Sequence, residues 1–169
     1  TNLKVIHSQL SPQTRGELIS LATETERTLF FDFMPLDLGS INGFKARISM
    51  YTVPGQEEYN KSRKLILRDV DGIVFVADSN VTRSEENQAS LQNMMDNLKE
   101  YRITLDDIPW VLQYNKRDLT TAMEVERMEN ELNHLRVPAF EAVAMDGKGV
   151  FSTLKSITKL MLNRAKGSE

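Results

Sequence analysis

With 169 residues, 40% of them hydrophobic and 27% charged, the chain has the apolar material for the core of one domain spanning residues 1–169. A net charge of −3 and a pI near 5.5 argue against a nucleic-acid partner or an anionic membrane surface, and zero cysteines exclude a disulfide framework or a thiolate metal site. No apolar stretch approaches the roughly 18 residues that span a bilayer, and neither end resembles a secretion or lipidation signal, so a soluble cytoplasmic protein is expected.

From the amino end, Asn2–Leu10 reads as a helix with Leu3, Ile6 and Leu10 on one face. Residues 11–28 are polar, contain Pro12 and Gly16, and are long enough for a functional loop. Leu29–Leu38 and Phe44–Val53 read as strands joined by the turn-rich Gly39-Ser40-Ile41-Asn42-Gly43, and so as an antiparallel hairpin. Glu58–Arg68 follows as a polar helix carrying the local basic residues Lys61, Arg63, Lys64 and Arg68. The unbroken apolar run Gly72–Ala77 suits a central strand buried on both faces. Thr82 with Glu85 can form a capping box for a helix whose Leu91, Met94, Met95 and Leu98 recur at core spacing. Beyond the apolar run Ile108–Tyr114, Thr121 with Glu124 opens another helix and Val137–Ala144 gives a last strand. Val150, Leu154, Ile157 and Met161 then mark the buried stripe of a terminal helix. This alternation predicts an α/β fold on a mainly parallel sheet. His7 and His134 read as ordinary surface histidines.

Two short motifs carry chemistry. Asn115-Lys116-Arg117-Asp118 directly follows a strand-like run. Guanine presents a ring N–H beside an exocyclic amine, a donor pair that one carboxylate such as Asp118 accepts together. Adenine lacks that pair on the same edge, and the mismatch leaves groups unpaired. Asn115 can tie base and loops through its amide, while the Lys116 stem lies over the purine with its charged head free. Thr52-Val53-Pro54-Gly55-Gln56 ends the second hairpin strand. Gly55 allows close approach to a terminal phosphate, and Gln56 can hold a water in line with phosphorus.

With these motifs, the chain resembles the small Ras-like GTPases, a P-loop NTPase-like fold, and more closely their bacterial gliding-motility branch, the MglA type. The likeness runs through residues 20–33, Tyr51–Gln56, Ser62–Arg68, Asp71–Asp78 and Asn115–Leu119. It implies a Ras-like G domain with helices on both faces of the sheet, switching between GTP and GDP with Mg²⁺. Its partners would be a roadblock-fold activator of the MglB type and effectors of motility or polarity, with possible recruitment to a cell pole. Thr28 is similar to the switch threonine that ligates Mg²⁺ and touches the γ-phosphate. Arg27 resembles an arginine finger supplied in cis, worth on the order of 10³–10⁵ in rate. Ala144 stands where the family uses a backbone N–H for the guanine carbonyl.

Two departures from Ras-like proteins stand out. Thr52 occupies the position of a Mg²⁺-binding Asp, so Asp32 is expected to replace that carboxylate, or else to be a strand residue paired with a cation. Nothing matches G-x-x-x-x-G-K-[ST], and Thr1-Asn2-Leu3-Lys4 resembles the continuation just behind that loop. The sequence therefore reads as an N-terminally truncated G domain lacking its first strand and phosphate loop, about 20 residues. In Ras-like sheets that strand lies between the second hairpin strand and Val74–Ala77. The alternative reading is a pseudo-GTPase that serves only as a protein-interaction module.

Overall fold

The computed structural model describes residues 1–22, 30–41 and 44–167, which fall into two compact units, Thr1–Ile66 and Leu67–Glu169.

In the first unit, helix α1 (Asn2–Gln9) buries Leu3 and Ile6, as their spacing requires. Three antiparallel strands follow, in the order β1 (Ile19–Ala22), β2 (Phe30–Ile41), β3 (Phe44–Thr52). Strand β1 lies inside the segment expected to be loop. Four residues give too little alternation to read from sequence, and β2 supplies the pairing through Ser20↔Asp32 and Leu21↔Phe31. The hairpin register Asp32↔Thr52 to Ile41↔Phe44 agrees with expectation, except that Gly39 sits in a bulge within β2 instead of the turn. Its φ of +73° suits glycine, and its N–H donates to the Asp37 carboxylate at 2.8 Å. Alternation along β2 puts Met34 and Leu36 inside at 0% and 4% exposure, while Phe33 stacks on Tyr51 of β3 with ring centroids 4.9 Å apart. A short turn over Glu57–Tyr59 leads into α2 (Asn60–Leu67).

The second unit is built on a parallel sheet ordered β4 (Ile73–Asp78), β5 (Trp110–Asn115), β6 (Ala139–Glu141). Ile73, Phe75 and Ala77 join Trp110, Leu112 and Tyr114 on one face, packed with Leu91, Met94 and Leu98 of α3 (Ser84–Glu100) and with Met128 and Leu132 of α4 (Val125–Leu132). Each such fully buried side chain contributes about 1.5–3 kcal/mol. Helix α5 (Val150–Lys166) covers the other face, where the Gln113 amide donates to Thr153 at 2.9 Å and the Thr153 hydroxyl to the Gly149 carbonyl at 2.8 Å, so the buried polar pair is satisfied. A parallel sheet with helices on both faces and an antiparallel ladder are the expected α/β, Ras-like pattern.

Among the described residues β5 pairs on both sides and is buried from Trp110 through Tyr114, and β4 pairs with β5, with Val74 and Val76 38% and 43% exposed. Two expectations are corrected here. Helix α3 is entered through Asn80, whose side chain accepts the Thr82 N–H at 3.0 Å, so the Thr82–Glu85 capping box does not form. The last strand shrinks to Ala139–Glu141.

Candidate functional site

The Asn115–Asp118 segment grows out of β5. Asp78 and Asn115 are register partners at the carboxyl ends of β4 and β5. The Ser79 N–H donates to the Asn115 carbonyl at 2.9 Å, and the Asn115 Oδ1 accepts the Ala144 N–H at 2.9 Å. That N–H, matched through the resemblance to a guanine carbonyl, is thus engaged with Asn115. Asn115, Lys116, Asp118 and Ala144 are nonetheless brought together. Ala144 enters through a turn anchored by Gly149, at φ +76°, where a Cβ would fall 2.2 Å from the Glu141 carbonyl oxygen.

Lys116 takes a left-handed backbone, φ 66°, which costs a non-glycine residue and survives only where its surroundings over-determine it. The flanking Leu119 and Arg117 N–H groups donate to the Lys116 and Ala142 carbonyls at 3.2 and 3.1 Å. The Lys116 head is not free: its Nζ meets the Asp78 Oδ2 at 2.6 Å. Burial pushes the Asp78 carboxyl up, but the Lys116 ammonium and the Asn80 N–H together outweigh it and hold the pKa below the ordinary aspartate value. With the lysine side chain 56% exposed, such a pair adds only about 0–1 kcal/mol to folding. Arg117 faces the protein, its Nε on Glu141 at 2.9 Å and an Nη on the Met123 carbonyl at 2.5 Å. Asp118 is exposed, and among the described residues no hydrogen bond or ion pair engages its carboxylate. Both of its oxygens therefore remain for a ligand bearing paired donors.

In the first unit, Gly55 and Gln56 lie in the exposed segment after β3. Arg63, one of the local basic residues read from sequence, turns inward at 7% exposure and donates one Nη to the Pro54 carbonyl at 2.8 Å and the Gln56 carbonyl at 2.6 Å. Burial lowers its pKa and the nearby Glu57 raises it in part. No sequence signal separates Arg63 from its exposed neighbours, because a bond to a backbone carbonyl leaves no mark on residue type. Asp32 sits mid-row across the sheet, accepting from Ser20 on one strand and from Thr52 on the other, at 3.1 Å for Thr52. The residue at the place of the absent carboxylate thus touches the aspartate expected to replace it, and no cation bonds Asp32 among the described residues. Arg27 and Thr28 lie outside the described residues. No group of three or more His, Cys, Asp or Glu side chains able to hold a metal occurs among those described. Hydroxyl and carboxylate oxygens are nevertheless the donors Mg²⁺ accepts, and it commonly takes one or two from protein and the rest from phosphate and water. His7 is part-buried against Arg15 at 2.8 Å, and His134 is exposed. No described helix is long and apolar enough to cross a membrane.

The model of the ADP-ribosylation factor family matches residues 28–161. The mutual gliding-motility protein MglA of Myxococcus xanthus (strain DK1622) is 56% identical over 166 residues, which are 98% of this chain and 85% of that protein. The Ras-related protein Rab-27B of Rattus norvegicus is 26% identical over 141 residues, 82% of this chain and 63% of its own length.

Proposed function

Because the chain belongs to the ADP-ribosylation factor family of Ras-like small GTPases, in the MglA-type branch, we propose that it is a guanine-nucleotide switch that hydrolyses GTP to GDP and acts in gliding motility or cell polarity. The observation that carries this reading is the Asp118 carboxylate, held out from the β5 end with no partner among the described residues, beside the Asn115–Ala144 bond. Asp118 would accept the guanine ring N–H and exocyclic amine together, Asn115 would use its amide on the base, Ala144 would line its carbonyl edge, and the Lys116 stem would lie against its face.

At the phosphate end, Gly55 would bring its N–H to the γ-phosphate and Gln56 would orient the attacking water. Water oxygen bonds to the γ-phosphorus, the bridge to the β-phosphate breaks, and the water's proton ends on the released phosphate. Arg27 would neutralise oxygens that gain charge on the way. Thr28 and Asp32 would hold Mg²⁺, which when bound draws charge from the phosphate oxygens. The MglA resemblance also supports a roadblock-fold activator as partner and recruitment to a cell pole.

The test is nucleotide titration of the full chain as its gene encodes it, with GDP, ADP and xanthosine diphosphate. GDP should bind and ADP should not. Xanthine carries a carbonyl where guanine carries its amine, so Asp118→Asn should weaken GDP by at least about 100-fold, the scale of an unpaired charged contact, and improve xanthosine diphosphate. A parent chain without preference for guanine, or an Asp118→Asn chain that keeps it, would overturn the reading.

A further inference from the structure

We propose that Asp78 is a positioning residue for the base site: by fixing the Lys116 ammonium it sets the direction of the lysine stem, so that the floor for the purine exists before a nucleotide arrives. The inference rests on the base-site reading above and adds a residue that neither short motif contains.

Asp78 is suited to be the fixed member of the pair. Its Oδ1 accepts the Asn80 N–H at 3.0 Å, its own N–H donates to the Asn87 Oδ1 at 3.0 Å, and its carbonyl accepts the Asn87 Nδ2 at 2.8 Å. Asn87 is itself buried on α3, so the Asp78 backbone is tied to a helix, while its carboxylate is tied to the turn at Asn80. Lys116 is the mobile type of side chain, with four methylenes and a point charge. Its Cα is fixed by the left-handed turn at φ 66° and its Nζ by Asp78 at 2.6 Å. A chain held at both ends must run between them.

Magnitudes favour a positional role. A pair so exposed at its lysine adds little to folding, whereas a long side chain ordered in advance spares a ligand about two- to tenfold in affinity. The same bond also holds the ammonium at β4, so that in this arrangement the stem, not the charge, is what a base would meet.

A double-mutant cycle on the full chain, read as the Kd for GDP and for GTP, tests this. Asp78→Asn should weaken both nucleotides by the same factor, about fivefold on the scale of one unfixed lysine. In a Lys116→Met background, where an apolar stem remains but no ammonium needs fixing, Asp78→Asn should change nothing. Asp78→Glu, which keeps the charge, should recover most of the affinity. Equal losses in both backgrounds, no loss in either, or a folded Asp78→Glu as weak as Asp78→Asn would each overturn the proposal. An Asp78→Asn chain that fails to fold would overturn it too, since the carboxylate would then serve the fold. If the parent itself ignores GDP, the base-site reading falls and takes this inference with it; if the parent binds GDP and the cycle is additive, only this inference falls.

Discussion

The Asn115–Asp118 segment after β5 and the Pro54–Gln56 segment after β3 both leave strand ends, yet they are held by different means. The first is tied by groups from several elements: Ser79 and Ala144 N–H on Asn115, the Ala142 carbonyl on the Arg117 N–H, and Glu141 and Met123 on the Arg117 side chain. In the second, the buried guanidinium of Arg63 donates to the Pro54 and Gln56 carbonyls, and the Tyr59 N–H donates to the Gln56 carbonyl at 3.1 Å. A segment that discriminates bases by leaving wrong partners unpaired gains from rigidity. One that answers a changed phosphate, as proposed for Gly55 and Gln56, gains from ties it can release.

The largest expected effect strikes the Arg63 tie. Arg63→Met keeps apolar bulk but withdraws the donor from both carbonyls, and should cost about 1–3 kcal/mol in urea unfolding. In the full chain it should lower GTP turnover at saturation more than GDP affinity. A variant with weakened GDP binding and untouched turnover would erase the distinction between the two segments.

Next in size is Asp32→Ala. If Asp32 replaces the carboxylate absent at Thr52, the variant should need about tenfold more Mg²⁺ for half-maximal turnover, the loss of one charge-assisted ligand contact. An unchanged Mg²⁺ requirement would confine Asp32 to its row with Ser20 and Thr52.

The smallest effect concerns Asp78 and pH. Its folded pKa is lowered, so its contribution to stability is fully present above the unfolded aspartate value of 3.8 and is lost as pH falls through the folded value. The stability gap between parent and Asp78→Asn should be flat from pH 6 to 8, about 1 kcal/mol or less, and close only at pH values below 4. A gap that opens or closes near neutrality would mean another group governs the pair.

Much of the fold was legible because periodicity is local. Leu91, Met94 and Leu98, and Val150 and Ile157, are buried as their spacing predicts, and the β2–β3 hairpin pairs where alternation placed it. Asn115, Lys116, Asp118 and Ala144 come together as expected from a strand end and a resemblance. The misreadings share a cause. Strand β1 exists through its pairing with β2, and Asn80 displaces Thr82 as cap by geometry that the spacing does not encode.

The residue string alone determined which side chains stand at strand ends and hence which groups are on offer there: the Asp118 carboxylate after one strand, Gly55 and Gln56 after another. Tertiary structure decided which charges meet. Arg63 turns in upon carbonyls, and Lys116 reaches Asp78 across 38 positions of chain because parallel register sets Asp78 beside Asn115. Contacts of that kind depend on strand order and register, which are collective properties of the sheet.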